Sequence, residues 1–212
     1  MLADDFFRLA HDDTSGELRV HARAAAWGLA AALLAKLLYA GRIRIVGDSN
    51  VYVMPKAAPP ADAISHGIFD QIVAEHTRHT VRTWLAFLSE DAYEQVATRL
   101  LRAGHVRRKT SRFLFVTLST TYVPVDMKAG AWPVVRLAMG LRQRAPLHEH
   151  DVFLAGLAEA TGLDEYLIRD ADHRDWARGY LRHLVGTLSA PTAELLAHTR
   201  AAVGIALVTH HT

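Results

Sequence analysis

Leu37-Leu38-Tyr39-Ala40-Gly41-Arg42-Ile43-Arg44 returns in plan 63 residues later as Leu100-Leu101-Arg102-Ala103-Gly104-His105-Val106-Arg107. Each copy has the apolar end of a helix, a small residue, a glycine suited to a left-handed cap, and the polar/apolar alternation of a strand. After the first copy, Gly47-Asp48-Ser49-Asn50 turns the chain and Val51-Tyr52-Val53 returns, which predicts a β-hairpin with a basic outer edge. The second hairpin is predicted to be larger. It runs from His105 through Phe113-Leu114-Phe115-Val116 to Tyr122-Val123-Pro124-Val125.

Outward from these units the pattern is helical. Leu2, Phe6, Phe7 and Leu9 fit a short amphipathic helix ended by the turn-forming His11 to Gly16, and an Ala/Leu-rich helix from about His21 to Ala40 leads into the first hairpin. Three prolines between Pro55 and Pro60 mark a connector. Helical periodicity covers about 61–76, 81–88 and 91–103, and after the second hairpin about 133–143, 149–161, 164–170, 174–188 and 192–208. The expected architecture is mainly α, a single compact helical domain with two β-hairpins, the first winged-helix-like. It divides into a helix-hairpin unit 1–54, a linker 55–60, helices with the larger hairpin 61–126, and C-terminal helices 131–208.

Composition narrows the function classes. With 212 residues, half of them hydrophobic, the chain can bury roughly 70% of its unfolded surface and needs no staple to fold. The absence of cysteine excludes disulfides, thiolate metal sites and cysteine nucleophiles, and fits a reducing, cytoplasmic setting. The longest apolar run, Ala24 to Ala35, is shorter than the ~20 residues of a spanning helix, so it is expected to be a buried helix. Any membrane contact should be peripheral, on the cytoplasmic face.

Net charge hides a strong asymmetry. Between Gln95 and His148 stand ten basic residues against one acid, a balance of +9, which leaves fourteen against twenty-one elsewhere. Arg99, Arg102, Arg107, Arg108, Lys109 and Arg112 concentrate it, with no acid among them, and lead straight into Phe113-Leu114-Phe115. Cations near an anionic bilayer contribute about 1 kcal/mol each, and an apolar tip beside them can enter the interface. The thirteen histidines should strengthen that attraction as pH falls through about 6.5.

No catalytic reading has a motif behind it. There is no phosphate-binding glycine loop, nucleophile elbow or zinc-hydrolase spacing, so no enzyme activity, cofactor or metal is expected. A nucleic acid is the competing anionic partner, because helix-then-basic-hairpin is the outline of a winged helix. The helix before the first hairpin has almost no hydrogen-bond donors, whereas a recognition helix needs them, so nucleic acid is the less favoured partner and the alternative reading.

The chain resembles the Golgi phosphoprotein 3 family, in particular its shorter bacterial members. The resemblance rests on Leu2 to Asp13, on Gly28-Leu29 followed by Lys36-Leu37-Leu38-Tyr39-Ala40-Gly41-Arg42-Ile43, on Val81-Arg82-Thr83-Trp84-Leu85, and on Leu101-Arg102-Ala103-Gly104 through Phe113-Leu114-Phe115. It implies a mostly helical fold, peripheral membrane association, recognition of phosphatidylinositol 4-phosphate and an adaptor role toward a protein client. The family's headgroup-binding tryptophan and three arginines correspond here to His21, Ala30, Glu90 and Tyr93, all of them substituted, while the basic flank and apolar tip of the hairpin persist.

Overall fold

A computed structural model describes residues 1–113, 116–168 and 174–208. Among these residues it has α1 (Leu2–Ala10), α2 (Ala22–Tyr39), β1 (Ile43–Val46), β2 (Asn50–Val53), α3 (Ala63–Ala74), α4 (Val81–Ser89) and α5 (Ala92–Arg102). Then follow β3 (Val106–Phe113), β4 (Val116–Pro124), α6 (Met127–Gln143), α7 (Glu149–Thr161), α8 (Asp164–Leu167), α9 (Arg174–Val185) and α10 (Ala190–Val208). The mainly α class with two antiparallel two-stranded sheets is as the sequence pattern predicts.

The repeated octapeptide is a structural repeat as well. In the first unit Gly41 has φ 62°, the Arg42 amide donates to the Leu37 carbonyl at 2.9 Å, and Met54 N bonds Arg42 O at 2.9 Å. In the second, Gly104 has φ 70°, His105 N bonds Leu100 O at 2.9 Å, and Val125 N bonds His105 O at 3.0 Å. Each helix thus closes on a six-to-one bond over a left-handed glycine, and the next residue's carbonyl receives the end of the returning strand.

Helix α2 organises the core. Its residues carry no polar face, so α1, α3, α4, α5, α7 and α10 all pack upon it. By length and composition it is a candidate membrane span, but 61% of it is buried within the protein, as a core helix would be. Helix α1 lies against it with the Phe6 ring seated on Gly28. A Cβ at position 28 would stand 2.1 Å from Phe6 Cζ, so only glycine admits this approach.

The first hairpin is pinned down on several sides. Ile43 and Ile45 turn inward while Arg44 and Val46 face solvent. Val51 N donates to His79 O at 3.0 Å, and Val81 N to Ser49 O at 2.8 Å, tying the hairpin to the start of α4. The Ser49 hydroxyl bonds the Glu194 carboxylate and sits 2.8 Å from His198 Nε2, both on α10. A helix followed by a two-stranded sheet is as far as the likeness to a winged helix goes here.

The second hairpin pairs Val106 with Pro124 and continues to Phe113 with Val116, with an irregularity between Ser111 and Arg112. Its root is held where the Gly16 carbonyl accepts from Tyr122 N at 3.3 Å. A side chain on Gly16, at φ 72°, would strike the Tyr122 backbone at 2.7 Å. Helix α6 starts at Met127, six residues earlier than periodicity predicts. The Asp126 carboxylate caps it by accepting from Lys128 N at 2.8 Å and Ala129 N at 3.3 Å, and Pro133 falls inside the helix. Helices α8 and α9 end at Leu167 and Val185, sooner than expected.

The Phe6–Gly28 contact gives the first test. Gly28→Ala should lower stability by about 1–3 kcal/mol through overpacking, read as a lower midpoint in urea unfolding. Adding Phe6→Leu, which withdraws ring atoms from the clash, should recover part of that loss.

Candidate membrane-facing surface

The basic residues of the +9 segment separate into two kinds. Arg99, on α5, is turned inward: its Nε and Nη2 donate to Asp4 Oδ1 at 3.0 and 2.5 Å, and its Nη1 lies 3.6 Å from Asp62 Oδ1. Asp62 in turn holds Lys36 Nζ at 2.5 Å and accepts from Ser65 N at 3.2 Å as the N-cap of α3. These bonds favour the ionised form and hold the Asp62 carboxyl below its ordinary range, against the opposing pull of burial. Arg136, on α6, likewise bonds Asp151 at 2.7 Å and lies 3.4 Å from Asp5. The carboxylates that neutralise both arginines come from elsewhere in the chain, so the sequence-local balance of +9 overstates the charge available at the surface.

The second kind is exposed. Arg102 at the end of α5 and Arg107, Arg108 and Lys109 on β3 all face solvent, and none makes an ion pair among the described residues. They surround the root of the second hairpin. Arg108 stands opposite Tyr122, where its charge works against the burial that raises the Tyr122 hydroxyl's pKa. Arg112 and Phe113 are placed as strand backbone, and Leu114 and Phe115 lie outside the described residues. Next to this root, an open groove of about 750 Å3 between α3 and α5 is lined by Gln71, Gln95, Thr98, Arg99 and Arg102, among others.

His21, Ala30, Glu90 and Tyr93, the positions that the resemblance assigns to headgroup binding, do not form a cationic pocket. His21 is the exposed N-cap of α2, its Nδ1 accepting from Arg23 N at 3.2 Å. Ala30 is fully buried in α2, and Glu90 is exposed at the end of α4. Tyr93 is used internally: its hydroxyl donates to His11 Nε2 at 2.9 Å, while His11 Nδ1–H donates to the Phe7 carbonyl at 2.7 Å. The rings of Phe7, His11, Tyr93 and Tyr122 pack together, with Phe7 and His11 stacked at 4.0 Å. Burial pushes the Tyr93 hydroxyl well above its ordinary pKa. Burial also brings His11 down from 6.5 to about 4, the Phe7 carbonyl partly opposing it and Arg19 adding to it. His11 is therefore neutral at pH 7 and takes no part in charging the surface on mild acidification.

One feature of this region escapes periodicity. Trp132, Val135 and Met139 of α6 are exposed, and so are Val125 and Met127 between the hairpin and that helix. Val135, Met139 and Arg142 themselves form part of the wall of a cleft of about 410 Å3, lined mainly by apolar side chains of α6, α8 and α9. Apolar residues of α6 occur on its cationic side as well as on its buried side, so spacing alone cannot say which are covered. Among the described residues no group of three or more His, Asp or Glu converges as metal ligands would.

A family model for Golgi phosphoprotein 3 (GPP34) matches residues 2–203, nearly the whole chain. The chain belongs to the Golgi phosphoprotein 3 family. Among curated proteins a search gives no significant match. Membership fits the residues that carry the resemblance: in this Golgi phosphoprotein 3 family chain Gly28 admits the Phe6 ring of α1, and Gly41 and Gly104 take the left-handed conformation that glycine favours.

Two outcomes follow from the burial contrasts. Arg99→Ala should cost about 3 kcal/mol in denaturant unfolding because it leaves the buried Asp4 only the Met1 ammonium at 3.8 Å, whereas Arg102→Ala should stay within about 0.5 kcal/mol. Stability should also fall with pH through His11. The folded state binds fewer protons than the unfolded one between 6.5 and about 4, so the contribution is complete above 6.5 and declines to about 3 kcal/mol less by pH 4. His11→Gln should flatten that slope in unfolding measured across the same range.

Proposed function

We propose that this Golgi phosphoprotein 3 family chain is a peripheral membrane protein that binds anionic phospholipid and tethers a protein client at the cytoplasmic face of a membrane. In this reading Arg102, Arg107, Arg108, Lys109 and Arg112 meet the lipid headgroups, and Phe113, Leu114 and Phe115 enter the interface. The family points to phosphatidylinositol 4-phosphate or another phosphoinositide as the lipid. We propose that the whole chain acts as one unit in this role and by binding, without catalysis.

One observation carries the reading. Arg99 and Arg136 are spent on internal carboxylates, while Arg102, Arg107, Arg108 and Lys109 stay exposed around one hairpin root and, among the described residues, without ion pairs. Unpaired exposed cations gain little for stability, so their clustering is best accounted for by an external anion. Arg99 supports this surface structurally, by fixing α5 against α1. The substitutions at His21, Ala30, Glu90 and Tyr93 remove the guanidinium fork suited to a phosphate monoester. Attraction to negative surface charge should therefore outweigh discrimination between headgroups.

Vesicle sedimentation tests the proposal. Arg102→Glu, Arg107→Glu and Lys109→Glu together should weaken binding to phosphatidylserine or phosphatidylinositol 4-phosphate vesicles at least tenfold, since each reversal removes and then opposes about 1 kcal/mol of attraction. Phe113→Ser with Phe115→Ser should weaken it at high salt as well as low. Absence of binding to anionic vesicles, or binding indifferent to the three charge reversals, would overturn it. Tighter binding to duplex DNA with a steep salt slope would favour a nucleic-acid role instead.

A further inference from the structure

Helix α6 contains no acidic residue, and of its three cations Arg136 is turned inward to Asp5 and Asp151. The other two, Lys128 and Arg142, are exposed and share one side of the helix with Trp132, Val135 and Met139. At 100° per residue these five positions fall within a single quadrant, cations at the two ends and apolar side chains between. The three apolar residues are 55%, 42% and 51% exposed. That is a large outlay of uncovered apolar surface for one helix, and a buried core would not bracket it with cations.

We infer that this side of α6 is a second membrane-contacting element, lying in the interface of an anionic bilayer. The inference rests on the membrane reading above and adds a site to it. An in-plane helix needs a narrow apolar stripe, cations at headgroup level, and no acid on the stripe, and α6 has all three. A tryptophan amid that stripe suits the boundary between headgroups and acyl chains. The exposed Val125 and Met127 join β4 to α6, so apolar surface carries on along the chain from the end of the proposed lipid-binding hairpin to the stripe. The hairpin alone would leave the protein free to swivel about one contact. A second, roughly linear contact along α6 fixes which face of the helical body meets the membrane and which is left for a client.

The chain has no cysteine, so a single label reports cleanly. A polarity-sensitive fluorophore on Met139→Cys, mixed with phosphatidylcholine vesicles containing phosphatidylserine, should shift to the blue and be quenched by brominated acyl chains. The same label on Ala197→Cys, exposed on α10, should stay aqueous. Trp132→Ser with Met139→Ser should reduce vesicle affinity roughly tenfold, as expected for two large exposed apolar side chains, at unchanged salt slope and unchanged melting temperature. If the protein sediments with vesicles while the label at 139 stays aqueous, the inference fails and the membrane reading stands. If it does not sediment, both fail. A blue shift without vesicles that grows with protein concentration would mean that the stripe meets a second copy of the chain, and would also overturn the inference.

Discussion

Helix α2 has no polar side, and the rest of the molecule is arranged to keep it from water. Isolated, eighteen residues of this composition could neither stay soluble nor choose a face. Ringed by α1, α3, α4, α5, α7 and α10, it becomes the axis from which each other element takes its position. The closest of these contacts, Phe6 on Gly28, has no slack, because no other residue type leaves room for the ring. Fixing α1 on α2 places Asp4 beside Arg99, and that ion pair in turn sets α5, whose end carries the second glycine cap and the large hairpin. The hairpin beside the exposed cations is thus positioned through two contacts of α1, Phe6 on Gly28 and Asp4 with Arg99.

That chain of contacts changes the meaning of the charge pattern. Along the sequence, Arg99 opens a run of six cations, and nothing local distinguishes it from Arg102. In space the two are opposites: one is locked into Asp4 and Asp62, and the other faces solvent at the edge of an open groove. Arg136 is consumed in the same way by Asp5 and Asp151. Charge counted over a window predicts that an anionic surface is met, but only the fold says which cations are still available to meet it.

The two helix-and-hairpin units were legible because their signals are local. A glycine cap needs a left-handed residue at one position, and a strand needs alternation over four, so Gly41, Gly104, Ile43 and Ile45 read correctly without knowledge of their neighbours. Helix α6 was legible only in part. Pro133 looks like a first-turn residue, yet the real cap is Asp126, whose carboxylate holds two amides while Gly130 packs under Pro124. Its exposed stripe was not legible at all, because an apolar side chain becomes a surface feature only when no other element covers it. The Tyr93–His11 bond, spanning 82 residues, is hidden for the same reason.

That bond also bears on how the protein departs from its family's pattern. At position 93, which the resemblance sets against a headgroup arginine of the family, this chain has a phenol that donates to the neutral His11 imidazole, within a cluster of four packed rings. Such a cluster gains stability from burial and from being fully hydrogen-bonded. Those gains would be lost if the rings parted to admit a headgroup, so on the proposed correspondence position 93 serves the packing around Phe7 and His11 instead of a ligand. Exposed cations and apolar surface beside such a packed cluster are what a protein would show if it recognises a membrane by its charge and its interface. Recognition of that kind depends on contact area and geometry across the face, and this is why a second line of contact along α6 would matter more here than in a relative that grips one headgroup tightly.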